Sequence, residues 1–222
     1  HDGIGMRPTE GILNKKSLNN FLKRLKKNGS KFSYRKVQNK SRKVYEANIT
    51  VFDALKKSDT DPDGRFYLER YVAAHAIMIS FEGIPAIYFN SLFGKSNDEA
   101  KYVITGNNRD VNRYKWNYKN ISKKLGDKTS KQSIFFQNLG KLLSIKRKQK
   151  AFHPNGKRLN INLGSKIFCF ERLSLDRKQS IICITNLSST NQNAKLDRNL
   201  INYKDLMSPK TKLIEKNILA LK

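Results

Sequence analysis

The chain has 222 residues, 38% hydrophobic and 10% aromatic, which is enough for a packed core and excludes wholesale disorder. No apolar run approaches the roughly 18 residues a helix needs to cross a bilayer, so no membrane partner is expected. The net charge of +27 is mostly Lys spread along the chain, without a helix-turn-helix, zinc-finger or RNA-binding signature, and reads as a solvated surface.

The first stretch, His1-Asp-Gly-Ile-Gly-Met-Arg-Pro8, is a dense polar motif. Because it opens on His instead of Met, the chain is expected to be the later part of a longer protein. Gly3 and Gly5 allow a tight turn or close approach to a ligand, and Pro8 disfavours helix at Arg7, so the stretch predicts a strand end passing into a loop. A carboxylate at a strand end suits barrel-enzyme chemistry, although two polar residues before a turn are also just a turn. Leu18, Phe21, Leu22 and Leu25 follow at helical spacing, capped by Asn14 or Ser17 and stopped at Asn28-Gly29.

Residues Ser30 to Lys43 are basic without clear periodicity and predict a long loop, of a kind that serves as a lid. Val44 to Thr50 admits two readings: a polar loop before a helix, or a loop presenting Tyr45, Glu46 and Asn48 to a polar ligand. Asp59 to Gly64 is turn chemistry and lacks the twelve-residue pattern of a calcium loop. A helix is predicted over Phe66 to Phe81, with His75 as a core histidine. An apolar strand over Gly83 to Phe89 follows, and this alternation predicts a parallel α/β sheet.

Asn90 to Tyr118 reads as a second polar loop. Its Asn107 to Arg113 segment is rich in donors suited to hydroxyls, carboxylates and phosphates, or able to tie the loop down. Ser133 to Lys150 predicts an amphipathic helix, and the domain boundary is placed after it. Short alternating strands are expected at Leu159 to Leu163, Lys166 to Arg172 and Ser180 to Asn186, with weaker ones from Leu196 to Leu221. Cys169 and Cys183 read as buried thiols of a reducing compartment, and His1, His75 and His153 have no metal-ligand spacing.

With these pieces in order, the chain resembles the α-amylase superfamily (glycoside hydrolase family 13), and within it the sucrose phosphorylase and glucosylglycerate phosphorylase-like subgroup. Four stretches carry the resemblance. His1-Asp2-Gly3-Ile4-Gly5 is similar to the superfamily's last catalytic motif, at the end of the seventh barrel strand. Tyr45-Glu46-Ala47-Asn48-Ile49 is similar to the substrate loop of the phosphorylases. Gly83-Ile84-Pro85-Ala86-Ile87-Tyr88 resembles the eighth barrel strand. Gly94 to Asp98, with Asn108 to Arg113, resembles the long loop after it.

The resemblance implies an α/β fold: the last strands and helices of a (β/α)8 barrel with substrate loops over residues 1–150, then a small antiparallel β domain over 151–222. It implies a retaining double displacement that moves an α-glucosyl group between an acceptor (fructose, glycerate or glycerol) and phosphate. Asp2 matches the carboxylate that stabilises the cation-like transition state. His1, Arg7, Tyr45, Glu46 and Arg109 match substrate-binding positions. Glu46 stands where sucrose-specific enzymes carry Gln; it and Arg7-Pro8 are closer to relatives acting on glucosylglycerate or glucosylglycerol. The nucleophile and acid/base belong to earlier strands, so the chain alone is expected to be inactive. No cofactor or metal is implied, with inorganic phosphate as co-substrate, and the expected partners are sugar and phosphate in the cytoplasm, not nucleic acid or membrane. The alternatives are an α-glucosidase or transglucosidase of the same superfamily and, distantly, a basic nucleic-acid-binding protein.

Overall fold

The computed structural model describes residues 3–37, 41–197, 203–207, 214–215 and 218–221. The chain divides into two compact units, one of residues 1–72 and 86–139 and one of 73–85 and 140–222. It is mixed α/β, and its described sheets are small and antiparallel.

In the first unit, β1 (Ile4–Gly5), β2 (Lys31–Lys36) and β3 (Arg42–Asn48) form a sheet with β3 in the centre. Helix α1 (Lys15–Lys27) is capped by the Asn14 side chain, which accepts from Ser17 N–H at 2.9 Å, and ends at Gly29, whose φ of +93° suits glycine. Its apolar stripe of Leu18, Phe21, Leu22 and Leu25 packs against Met6, Phe32, Val44 and Ala47 of the sheet region. Helix α2 (Val51–Lys56) starts at Thr50, whose hydroxyl caps the N–H of Asp53. Phe52 of α2, Tyr71 of α3 (Tyr67–Ser80) and Phe135 of α6 (Lys131–Lys148) make an aromatic core. Its Tyr71–Phe135 edge contact is 4.8 Å between centroids. Burying such rings contributes about 1.5–3 kcal/mol each. The Tyr71 hydroxyl is satisfied by the Ser91 carbonyl at 2.6 Å. Two short helices, α4 (Glu99–Thr105) and α5 (Tyr118–Gly126), lie between α3 and α6 in sequence.

In the second unit, β4 (Lys157–Asn162), β5 (Ile167–Leu173) and β6 (Ser180–Asn186) form one antiparallel sheet. β7 (Gln192–Lys195), β9 (Ile218–Leu221) and β8 (Ile214–Glu215) form another. Ile167, Cys169, Ala194 and Leu196 make its buried apolar centre. The Arg172 side chain is fully buried, donating to the carbonyls of Ser80 at 2.6 Å, His153 at 2.7 Å and Gly156 at 3.2 Å.

Several expectations are corrected. Where a loop is expected, residues 31–36 form β2 and residues 42–43 open β3, because Phe32 and Tyr34 alternate with the basic and polar residues of an edge strand, and lysines on an edge hide the period while blocking further pairing. The segment holding Tyr45, Glu46 and Asn48 is strand β3. The Gly83 to Phe89 run enters no ladder; a parallel strand needs a neighbour to take its hydrogen bonds, and none runs beside it among the described residues. One reading stands: Asp59 to Gly64 is a turn, with Gly64 N–H donating to the Asp61 carbonyl at 3.2 Å. Asp61 is fully buried there, accepting from Arg65 N–H, Phe66 N–H and Arg70 Nη2 at 2.9, 3.1 and 2.6 Å.

Candidate active site

The polar opening motif is laid against the central strand. Ile4 pairs with Ala47 and Gly5 with Glu46, and Met6 N–H donates to the Tyr45 carbonyl at 2.8 Å. Gly3 has φ +123°, and a Cβ there would lie 3.2 Å from both Glu46 Oε1 and Asn112 Nδ2. Glycine is therefore what lets this backbone approach the Glu46 carboxylate. His1 and Asp2 lie outside the described residues.

Glu46 is buried, and Arg109 reaches it with Nη2 at 3.1 Å and Nε at 3.3 Å. Arg109 sits in a 3-10 turn, Asn108–Asn112, that is tied down from several sides. The Asn107 side chain accepts from Arg109 N–H at 3.2 Å, and Asn108 Nδ2 donates to the Phe32 carbonyl at 3.0 Å. Val111 is fully buried, and its carbonyl accepts from Asp98 N–H at 2.7 Å. Asp110 turns away to an ion pair with Lys101 at 3.0 Å. The hydrogen bonds Arg109 donates to Glu46, the Glu46 charge, and the nearby Tyr45 phenol push the guanidinium above its ordinary range. It stays charged.

The structure thus brings Tyr45, Glu46 and Arg109 together beside the Gly3 backbone. Arg7 is exposed in the turn Arg7–Thr9, outside this contact set. Within the Asn107 to Arg113 array the roles divide. Arg109 serves the Glu46 pair, while Asn107, Asn108 and Asp110 hold the turn. Asn112, buried and adjacent to Gly3, is the residue that sequence reasoning did not single out; its place in a donor-rich array was the available signal. Among the described residues no three His, Cys, Asp or Glu side chains gather as a metal site would require.

Chemically, this is a fixed, buried anion held by a forked cation that is itself half open to solvent. Arg109 gives two of its five N–H directions to Glu46 and keeps others for hydroxyl or carboxylate oxygens.

No family model matches the chain. It is 31% identical over 193 residues to glucosylglycerate phosphorylase of Escherichia coli (strain K12), covering 87% of this chain and 34% of that protein. It is 32% identical over 192 residues to glucosylglycerate phosphorylase of Spirochaeta thermophila, covering 86% and 32%. Among solved structures, sucrose 6F-phosphate phosphorylase from Thermoanaerobacter thermosaccharolyticum shares the fold with a TM-score of 0.62 at 23% identity, over 84% of this chain and 37% of that one. The chain therefore spans about a third of the length of the curated relatives it matches.

Proposed function

Since the chain belongs to the sucrose phosphorylase and glucosylglycerate phosphorylase-like subgroup of the α-amylase superfamily, matching its C-terminal portion, we propose that it supplies part of the sugar site of a retaining glucoside phosphorylase. The observation that carries this reading is the Glu46–Arg109 pair set against the backbone of Gly3. Such a pair orients hydroxyls without forming a covalent bond, which is the role the resemblance gives Tyr45, Glu46 and Arg109. Asp2 is assigned as the fixed anion that favours an oxocarbenium-like transition state over a neutral sugar, with His1 and Arg7 beside it on the substrate. Nucleophile and acid/base are assigned to a part of the barrel outside this sequence, so the isolated chain is inactive. Residues 1–150 then complete the barrel, and 151–222 form the β domain, in a cytoplasmic enzyme that uses phosphate and needs no cofactor.

Glycerate is the acceptor this reading favours. It carries a carboxylate that fructose lacks, Arg109 has donors beyond those given to Glu46, and two of the similar proteins are named for glucosylglycerate. The test is phosphate release by the full-length protein from α-glucose 1-phosphate with glycerate, glycerol or fructose. Release dependent on glycerate is expected. Release that ignores every acceptor points to an α-glucosidase and overturns the phosphorylase reading.

A further inference from the structure

In the second unit, the last turn of α6, the Lys150–Phe152 turn and the hairpin turn between β5 and β6 border an open surface cavity of about 730 Å³. That is the size range of small-molecule sites. Four basic residues border it: Lys146, Arg147, Lys148 and Lys150. Phe152 and Leu175 supply apolar lining, and Leu175 is 61% exposed at the tip of its turn. The single carboxylate in the lining, Asp176, is already engaged by the Ser174 hydroxyl at 2.6 Å and Lys178 N–H at 3.1 Å. The lining is therefore net positive.

Its walls are held in place. Gln179 bridges the hairpin turn to the neighbouring turn, donating to Gln149 Oε1 and accepting from Ala151 N–H, both at 2.8 Å. Buried Arg172 fixes the carbonyls of His153 and Gly156. Lys146 Nζ donates to the Phe152 carbonyl at 3.3 Å and lies 5.5 Å from that ring's centroid. His153 Nδ1 accepts from Asn155 N–H at 3.1 Å, so in the neutral ring Nε2 carries the proton and is a donor. A helix C-terminus attracts cations to its last turn, which accounts for some of this charge. It accounts neither for Lys150, beyond the helix, nor for a concave site with exposed Leu175 in its wall.

We propose that this cavity is a binding site for a small organic anion, a phosphomonoester joined to a compact apolar or aromatic body. The phosphate meets the lysines as point charges and the body packs on Phe152 and Leu175. It gives part of the chain's positive charge a ligand, and it is independent of the phosphorylase reading, because Glu46 and Arg109 belong to the other unit.

The test uses phenyl phosphate as probe, followed by calorimetry and by amide chemical shifts of the full protein. Phenyl phosphate should bind about tenfold tighter than either phenol or inorganic phosphate, because two contacts act together in one site. The shifts should centre on residues 146–153 and 174–176. The exposed double variant Lys148→Glu/Lys150→Glu should weaken phenyl phosphate about tenfold. Leu175→Ser should weaken phenyl phosphate and leave inorganic phosphate unchanged. Equal binding of phenyl phosphate and inorganic phosphate, shifts centred elsewhere, or undiminished binding by both variants would overturn the proposal. So would capture by vesicles containing phosphatidic acid without any binding of phenyl phosphate, which would reassign the surface to a lipid headgroup.

Discussion

Arg109 closes on Glu46 from 63 positions away in the sequence, through Nη2 at 3.1 Å and Nε at 3.3 Å, with the carboxylate buried and the guanidinium open to solvent. The pair is asymmetric in a useful way. Its anion is positioned by the sheet and its cation by a short turn, so a ligand that meets the turn is oriented by both.

A consequence is that the two residues act as a unit. In the full-length protein, Glu46→Gln and Arg109→Ala are each expected to lower kcat/KM for acceptor-dependent phosphate release by about tenfold. The double variant should lose little more than the worse single variant, because each change alone already breaks the pair. Thermal unfolding of all three variants separates this from loss of folding. Additive losses would mean the residues act on substrate separately.

The turn that follows the Gly83 to Phe89 run depends on one glycine. Gly94 has φ +54°, and a Cβ there would stand 2.8 Å from the Phe135 ring in the aromatic core. Gly106 has a similar φ of +65° with nothing within 4 Å. Gly106→Ala should therefore cost only the backbone term, about 1 kcal/mol, whereas Gly94→Ala adds overpacking and should cost about 2–4 kcal/mol. Urea unfolding of the two variants measures the difference. Equal losses would show that Phe135 moves aside freely.

These contrasts mark how far the residues alone could be read. Helix α1 was legible because its apolar period is strong, α3 and α6 because they are long runs without a Pro, and strands β4 to β6 because neighbours in sequence are neighbours in the sheet. The β2–β3 hairpin was not. Lys31, Arg35, Lys36, Arg42 and Lys43 surround Phe32 and Tyr34, and a basic edge strand has the composition of a loop. Glu46 and Arg109 could each be named from the sequence, but their contact depends on a turn fixed by Asn108 reaching the Phe32 carbonyl, a link spanning 76 positions that no local pattern encodes. The Gly83 to Phe89 run shows the reverse failure, an apolar β-type sequence for which the described chain offers no pairing strand.

Acid should act on the first unit through Asp61. Burial works to raise its carboxyl, but N–H donation from Phe66, the Arg70 side chain and the Arg65 N–H outweigh it, and the group is held below the ordinary 3.8. A folded value below the unfolded one means stability that is complete above about pH 4 and is lost as pH falls through the folded value. Asp61→Asn should be less stable at pH 6 and should lose less on going from pH 5 to pH 2. Urea midpoints across that range test it. An unchanged acid slope would assign the loss to other carboxylates.

Alkali should act in the opposite sense through Lys131. Its Nζ lies 3.2 Å from the Phe52 ring centroid and 3.4 Å from Ser96 Oγ, at the start of α6. Burial pushes the amine down to about 8, the Asp53 carboxylate opposes this, and Lys56 and Lys95 add to it. Between that value and the ordinary 10.5 the unfolded chain holds the proton that the folded chain has released, so stability should rise with pH across the window. Full burial would give roughly 3 kcal/mol, and the partial exposure of this side chain reduces that to about 1–2 kcal/mol. Cys183 pulls the other way, because burial pushes its thiol up to about 11 and stability is lost as the pH rises from the ordinary 9.0 through that value. The comparison must therefore be between wild type and Lys131→Met, in which the Cys183 contribution cancels. The wild type should gain about 1–2 kcal/mol on the variant between pH 8 and pH 10.5 in urea unfolding. Parallel curves would show that Lys131 keeps its proton as readily in the folded chain as in the unfolded one.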